Sequence, residues 1–217
     1  MTSLDHLVIV ARSLDDGVAW CEATLGITPA PGGTHPNMGT HNRLFAVSSE
    51  RFPMTYAEVL AVDASATRPN RPRWFDLDDP KLQGTAVPFL AAYAVRSPDA
   101  EATHAVFVAR GLDPGPLTAA SRLTPRGTLE WKLTIPTDGK RLLAGVVPAI
   151  IQWGAVHPND SLPASGVTLE SLSAAHPRAA DLAALGLGEV TITDGPPDLV
   201  ATFATPKGRV VLESRGR

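Results

Sequence analysis

Leu4-Asp5-His6-Leu7-Val8-Ile9-Val10 is the stretch on which the fold turns. It is a short, almost continuous apolar run rich in Val and Ile, and its length and β-branching predict a strand covered on both faces. Just after it, Ser13 offers an N-cap, with Asp15 and Asp16 in the first helical turn, where acidic side chains suit the helix dipole. Val18, Cys21 and Leu25 fall on one helical face, and Gly26 is a natural stop. Ile27–Ala30, a Pro/Gly-rich turn, a strand around Thr40–Val47 and another at Thr55–Val62 follow. The order is β-α-β-β-β.

Outward from this unit the same grammar returns. Tyr93–Arg96 reads as a strand, Ser97–Arg110 as a helix stopped by Gly111, and Leu117–Ser121, Thr128–Ile135 and Val146–Trp153 as strands. A third, shorter copy runs through Val167–Leu172, a helix over Pro177–Leu185 stopped by Gly186, and strands at Glu189–Thr193, Leu199–Ala204 and Arg209–Glu213. The corners Leu25-Gly-Ile-Thr-Pro, Arg110-Gly-Leu-Asp-Pro and Leu185-Gly-Leu-Gly are alike, and Ala11-Arg-Ser resembles Val95-Arg-Ser. Their recurrence in phase with the strand pattern points to internal repetition. The expected architecture is α+β, built from repeated βαβββ modules over 1–88, 89–160 and 161–217. Asp63–Pro88, with prolines at 69, 72, 80 and 88, is a long connection whose Arg73-Trp74-Phe75 centre is too apolar to float free. His157–Ser165 is a second joint.

Composition narrows the function classes. Hydrophobic residues make up 44% and charged residues 19% of 217 positions, as in an ordinary globular chain with a sizeable core. A net charge of −3 without any basic run argues against a grip on nucleic acid or on an anionic membrane. With Cys21 alone, intramolecular disulfides and cysteine zinc sites are out. The first residues enter a strand pattern with no basic leader, and no long apolar stretch follows, so a cytoplasmic location is expected. Phosphate-binding Gly loops, a Gly-x-Ser-x-Gly elbow and a His-Glu-x-x-His helix are not found in the sequence.

Chemistry enters through parity. In a βαβββ module the first and last strands can lie side by side and parallel, joined by a right-handed crossover. His6, Val8 and Val10 share one face of the first strand, and Tyr56, Glu58 and Leu60 share one face of the last. The small Ala57, Val59 and Ala61 suit a packed helix, so Glu58 should face away from it and meet His6 on the concave side. A carboxylate inside Tyr-Ala-Glu-Val-Leu needs a partner. Two readings are open. A divalent ion shared with His6 is one, since imidazole with carboxylate suits zinc, iron, manganese or nickel. An ion pair with Arg43, which shares parity with His41 and Phe45, is the other. His35, His41 and Asn42 are placed at the cavity mouth to contact a ligand. Trp131 and Trp153 read as core or module-interface residues, His104 and His176 as surface or cap residues, and Cys21 as core.

Leu4-Asp-His-Leu-Val-Ile-Val, Leu25-Gly-Ile, His35-Pro-Asn-Met-Gly-Thr-His-Asn-Arg-Leu, Tyr56-Ala-Glu-Val-Leu-Ala-Val-Asp and Arg71-Pro-Arg-Trp-Phe together resemble the glyoxalase-like branch of the vicinal-oxygen-chelate superfamily. The match is good over about residues 3–80. It implies paired modules curling into an open half-barrel sheet around a concave pocket. In metal-dependent members a His or similar residue on each module's first strand and a Glu on its last bind the metal, which chelates or polarises vicinal oxygens. His6 and Glu58 match the first module's positions. Aligning Arg12-Ser13 with Arg96-Ser97 puts Leu90 where the second His should recur, and the second Glu position falls on or near Gln152, a weak ligand.

The implied metal set is therefore His6, Glu58 and Gln152, with Glu58 also as proton acceptor. Around it, His35, His41, Asn42, Arg43 and Tyr56 would contact a small oxygenated metabolite. The implied chemistry is that of a lyase, isomerase or dioxygenase. The superfamily also includes antibiotic-sequestering proteins, so a metal-free small-molecule binder is the alternative. Such modules often pair between chains, and a homodimer is expected.

Overall fold

The first strand, β1 (Ser3–Val10), is the hub of the molecule, hydrogen-bonded on both sides and buried along nearly its whole length. The computed structural model describes residues 2–83, 87–124 and 127–214. After β1 come α1 (Leu14–Trp20), β2 (Ala30–His35), β3 (Thr40–Ala46) and β4 (Tyr56–Val62). A connection with the short α2 (Pro80–Gln83) leads to β5 (Phe89–Arg96), α3 (Ala100–Ala109), β6 (Leu117–Thr124), β7 (Gly127–Thr134) and β8 (Ala149–Trp153). The rest is β9 (Thr168–Ala175), α4 (Ala179–Ala183), β10 (Thr191–Thr193), β11 (Asp198–Thr205) and β12 (Gly208–Glu213). Residues 84–86 of the expected Asp63–Pro88 connection lie outside the described residues.

The first eight strands form one sheet in the order β2-β3-β4-β1-β5-β8-β7-β6. β1 pairs parallel with β4, β5 pairs parallel with β8, and β1 and β5 meet antiparallel at the centre. This is two βαβββ modules joined by their first strands into a curled half-barrel. The curl is deep enough that the edge strands approach each other: a Cβ on Gly33 of β2 would overlap the Arg122 guanidinium on β6.

Local chemistry sets the elements. Ser13 Oγ accepts from the Asp16 amide at 3.1 Å and caps α1, which continues as a π turn over Cys21–Leu25 and stops at left-handed Gly26 (φ 77°). Asp99 caps α3 in the same way, through the Ala102 amide at 2.9 Å. α1 lies so close to β4 that a Cβ at Gly17 would overlap Val59. The small residues on that face of β4 allow this approach, as the parity reading requires. One strand differs from expectation. β2 runs through Pro31-Gly32-Gly33, which reads as a turn, because an edge strand tolerates proline and its pairing with β3 slips between Pro31 and Thr34.

The last four strands form a separate sheet in the order β10-β9-β11-β12. The element order β-α-β-β-β recurs here, but the pairing does not: β9 lies between β10 and β11, and β12 is at the edge instead of beside β9. Leu169, Leu172, Leu199, Ala201 and Phe203 of this sheet join Leu7, Ile9, Leu90, Tyr93, Cys21 and Phe107 in one core on the helix side of the large sheet. A second core fills part of the concave side, where Trp74, Leu77 and Leu82 of the connection pack on Val8, Val10, Leu60 and Ile151. The connection is thus a plug at one end of the half-barrel, held by Arg73–Asp78 and Arg141–Asp76 ion pairs at 2.6 and 2.8 Å. Among the described residues no helix is long and apolar enough to cross a membrane.

Candidate functional site

His6 and Glu58 converge inside the curl, with His6 Nε2 4.0 Å from Glu58 Oε1 and both side chains buried. The register that brings them together aligns His6 with Tyr56, whose ring stacks on the imidazole at 4.8 Å and 21°. Each member of the pair is braced from behind. Asn42 Nδ2 donates to Glu58 Oε2 at 2.7 Å. The Asn42 carbonyl oxygen accepts from the Gly33 amide at 2.8 Å, and this fixes the orientation of the side-chain amide. A Cβ at Gly32 would overlap that same oxygen, so the glycine lets the edge strand reach Asn42.

The brace on His6 is Asp5, which sequence alternation places on the opposite face. In the ladder with β5, Leu4 pairs with Val95 and His6 with Ala94, leaving Asp5 as the extra residue of a β-bulge. The bulge turns Asp5 to the same side as His6, a known use of such irregularities beside functional groups. The Leu4 carbonyl next to it accepts from Arg96 Nη1 at 2.5 Å and Thr55 Oγ1 at 3.3 Å, so the break in the ladder strands no backbone acceptor there.

Asp5 is 0% exposed yet accepts three hydrogen bonds: from His6 Nδ1 at 2.6 Å, Trp153 Nε1 at 3.0 Å and His157 Nε2 at 3.0 Å. Nδ1 of His157 accepts from the Asn159 amide at 3.2 Å, so its proton sits on Nε2 and points at Asp5. Burial pushes the Asp5 carboxyl up, but hydrogen bonds and charge from His157 and His6 outweigh it and hold it at about 2. Burial also pushes His6 down, and is overcome by the Asp5 hydrogen bond and the charges of Asp5 and Glu58, so its pKa is raised. Imidazolium at position 6 is favoured, with its second N–H facing Glu58 and the cavity. His35, by contrast, is lowered by burial and favours the neutral form.

The cavity in front of the pair is small, about 50 Å³, and is lined by His35, Leu44, Trp74, Phe75, Arg122, Trp131 and Trp153 besides His6, Asn42, Tyr56 and Glu58. Thus His35, Asn42 and Tyr56 stand where the sequence reading puts them. His41 and Arg43 do not. The β3–β4 register pairs them with Ala61 and Val59 on the helix-side face, while Asn42 and Leu44, opposite Leu60 and Glu58, face the cavity. The alternative reading of an Arg43–Glu58 ion pair gives way to the Asn42 hydrogen bond. Trp131 and Trp153 line the pocket in addition to packing against each other at 5.8 Å.

The donor set decides how well a divalent ion fits. Gln152, the expected third donor, lies between Ile151 and Trp153 on the opposite face, where its Oε1 accepts from the Ala100 amide at 2.9 Å and caps α3. Leu90 is buried in the helix-side core. His6 Nδ1 and Glu58 Oε2 are already engaged, which leaves one atom from each. Among the described residues no three His, Cys, Asp or Glu side chains are grouped to hold an ion. Two donors fall short of the three protein ligands that an open catalytic site retains, so the residues present do not fit a resident metal.

A family description of the glyoxalase-like domain matches residues 4–188. The chain belongs to this family. Curated proteins give no match. Among solved structures, a hypothetical protein from Staphylococcus aureus is 14% identical, with 91% of this chain and 88% of that one covered at a TM-score of 0.57, and it shows the shared fold. Methylmalonyl-CoA epimerase from Mycobacterium tuberculosis is 16% identical over 73% of this chain and 91% of its own, at a TM-score of 0.39. The Streptomyces coelicolor epimerase in complex with 2-nitronate-propionyl-CoA aligns at 0.45, with 16% identity, 72% of this chain and 98% of its own.

The remaining sequence readings concern residues outside the glyoxalase-like pocket. Cys21 is buried, and burial with the nearby Glu22 pushes its thiol up to about 12, so it is a core residue without nucleophilic character. His104 pairs with Asp113 at 3.1 Å, and His176 accepts from the Arg178 amide at 2.9 Å. Sequence reasoning missed Asp5, Trp74, Arg122 and His157. Asp5 carried a usable signal, because a carboxylate in an otherwise apolar strand demands partners.

Proposed function

We propose that this glyoxalase-like chain binds a small oxygenated metabolite in the concave cavity and moves a proton on it, with Glu58 as base and His6 as acid. The carrying observation is the buried chain His157–Asp5–His6, ending opposite Glu58 at 4.0 Å. In it each titratable group is oriented by a partner behind it, leaving one free atom each of His6 and Glu58 turned toward the same space. Such fixed, opposed proton donors and acceptors are what enolisation next to a carbonyl requires. Glu58 would take the C–H proton; its electron pair would form the C=C bond as the carbonyl oxygen receives the Nε2 proton of His6. Asp5 keeps His6 in the protonated, correctly turned form, and Asn42 holds Glu58.

The test is proton exchange in D2O, followed by NMR, on a panel of small 2-oxo and 2-hydroxy carbonyl compounds. Exchange is expected with the wild-type protein, and a drop of at least about 100-fold in Glu58→Gln, in line with loss of a general base. Compounds that bind without exchanging at all would remove the catalytic reading. What would then stand is a binding protein without catalysis, a reading favoured by one feature: among the described residues the second module lends the cavity no carboxylate or imidazole, only Arg122 beside apolar and indole side chains such as Leu133, Ile151, Trp131 and Trp153.

A further inference from the structure

Arg122 lies where the edges of the curled sheet approach each other. It lines both the inner cavity with His6 and Glu58 and a wider outer groove of about 470 Å³ that contains Pro31, Leu44, Leu129, Leu162 and Pro163. Its Nε and Nη1 are buried and make no hydrogen bond to any described protein group. The indole N–H of Trp74, on the inner wall, is in the same condition. Buried donors left without acceptors are costly, and a guanidinium more so than a neutral group. Its neighbours across the cavity do not satisfy it: Glu58 is claimed by Asn42 and faces His6, and Asp5 is used up by three donors. The positive charge of Arg122 is felt at both His35 and Tyr56. The cavity therefore carries an excess of donors at the boundary between a polar interior and an apolar groove.

We infer that the ligand is an organic carboxylate with an apolar substituent, its anionic end on Arg122 and Trp74 and its substituent in the outer groove. The matching chemistry is a delocalised anion for a planar, permanently charged cation, with apolar walls for the rest. Leu123, beside Arg122 and 86% exposed on the groove rim, would be partly covered by such a substituent. This rests on the reading that the cavity is a ligand site, but not on the proton transfer proposed for it.

Intrinsic fluorescence supplies the readout, since Trp74, Trp131 and Trp153 of the four tryptophans line the cavity. Titration of the full chain with 4-phenylbutyrate and with its uncharged amide should show the carboxylate binding at least about tenfold tighter, the scale of a charged hydrogen bond. Arg122→Gln should erase that preference and Arg122→Lys should keep part of it. Circular dichroism on both variants reports the fold separately. Proton exchange on the carbonyl panel, measured in parallel, reports the catalytic reading separately from this preference. Equal affinity for carboxylate and amide, or a preference that survives in folded Arg122→Gln, overturns the inference while leaving the cavity as a ligand site. If neither compound nor the neutral carbonyl panel binds, the ligand-site reading falls with it.

Discussion

Replacing Asp5 by Asn tests the frame of the site most directly. The aspartate accepts from two imidazoles and one indole with no exposure to solvent. An asparagine side chain keeps the shape but has one acceptor oxygen, and turns an NH2 group toward what is still a donor. At least one of His6, Trp153 and His157 then becomes a buried donor without an acceptor, and the charge-assisted bond to His6 is lost. A charged hydrogen bond contributes about 1.5–3 kcal/mol, and breaking a buried charged network costs about 3–5 kcal/mol in all. Against a total stability of about 5–15 kcal/mol this is a large share. For a chain of this length it corresponds to a fall in Tm of roughly 10 °C. The same change removes the group that overcomes burial at His6, so the imidazole pKa should drop and its neutral form should dominate at pH 7. Urea denaturation gives the first quantity and NMR titration of the imidazole resonances the second. A loss below about 1 kcal/mol, with His6 titrating as in the wild type, would refute the bulge-centred account.

Three further outcomes follow from the same geometry. The Asp5 carboxyl is depressed from 3.8 to about 2, so its contribution is present above pH 3.8 and disappears as pH falls through the folded value. That linkage is about 2 kcal/mol and should appear as an acid limb in stability against pH that flattens in Asp5→Asn. His6 is raised, so its contribution is complete below 6.5 and fades as pH rises through its folded pKa, and stability should decline on the alkaline side as well. Gly32→Ala drives a methyl group into the Asn42 amide, and a stability loss of about 1–3 kcal/mol by chemical denaturation is expected. Proton exchange by this variant should fall further than its folded fraction, because Glu58 loses its brace; unchanged stability would show that the edge strand is not held so tightly.

Local signals and the parallel pairing of β1 with β4 were readable, and register on the other strands was not. The capping serine, the glycine stops and the β-branched run at 4–10 act over a few residues, and all appear in the structure. Placing Tyr56 and Glu58 on the cavity face needed only the contrast with Ala57, Val59 and Ala61. His41 and Arg43 went to the wrong face because their strand offers no such contrast, and a one-residue choice of register reverses every side chain. Pro31-Gly32-Gly33 looked like a turn because nothing local marks an edge strand. Asp5 was hidden by alternation, which a bulge suspends. His157 reaches Asp5, and Arg122 the pocket, only through tertiary folding, from a joint and from the far edge of the sheet. The unusual order of the C-terminal strands likewise depends on contacts distant in sequence.

That C-terminal sheet has a consequence for how the molecule comes to exist. Phe203, Leu199 and Leu172 complete the layer behind Leu7, Ile9 and Tyr93, and the Leu169 amide bonds to the Val47 carbonyl at 2.9 Å. During synthesis, the strand bearing His6 must therefore wait, with an oily back, until some two hundred residues have emerged. The frame around His6 matures from the tail forward, and a chain interrupted before the final hairpin is expected to be a client for chaperones rather than a smaller folded version.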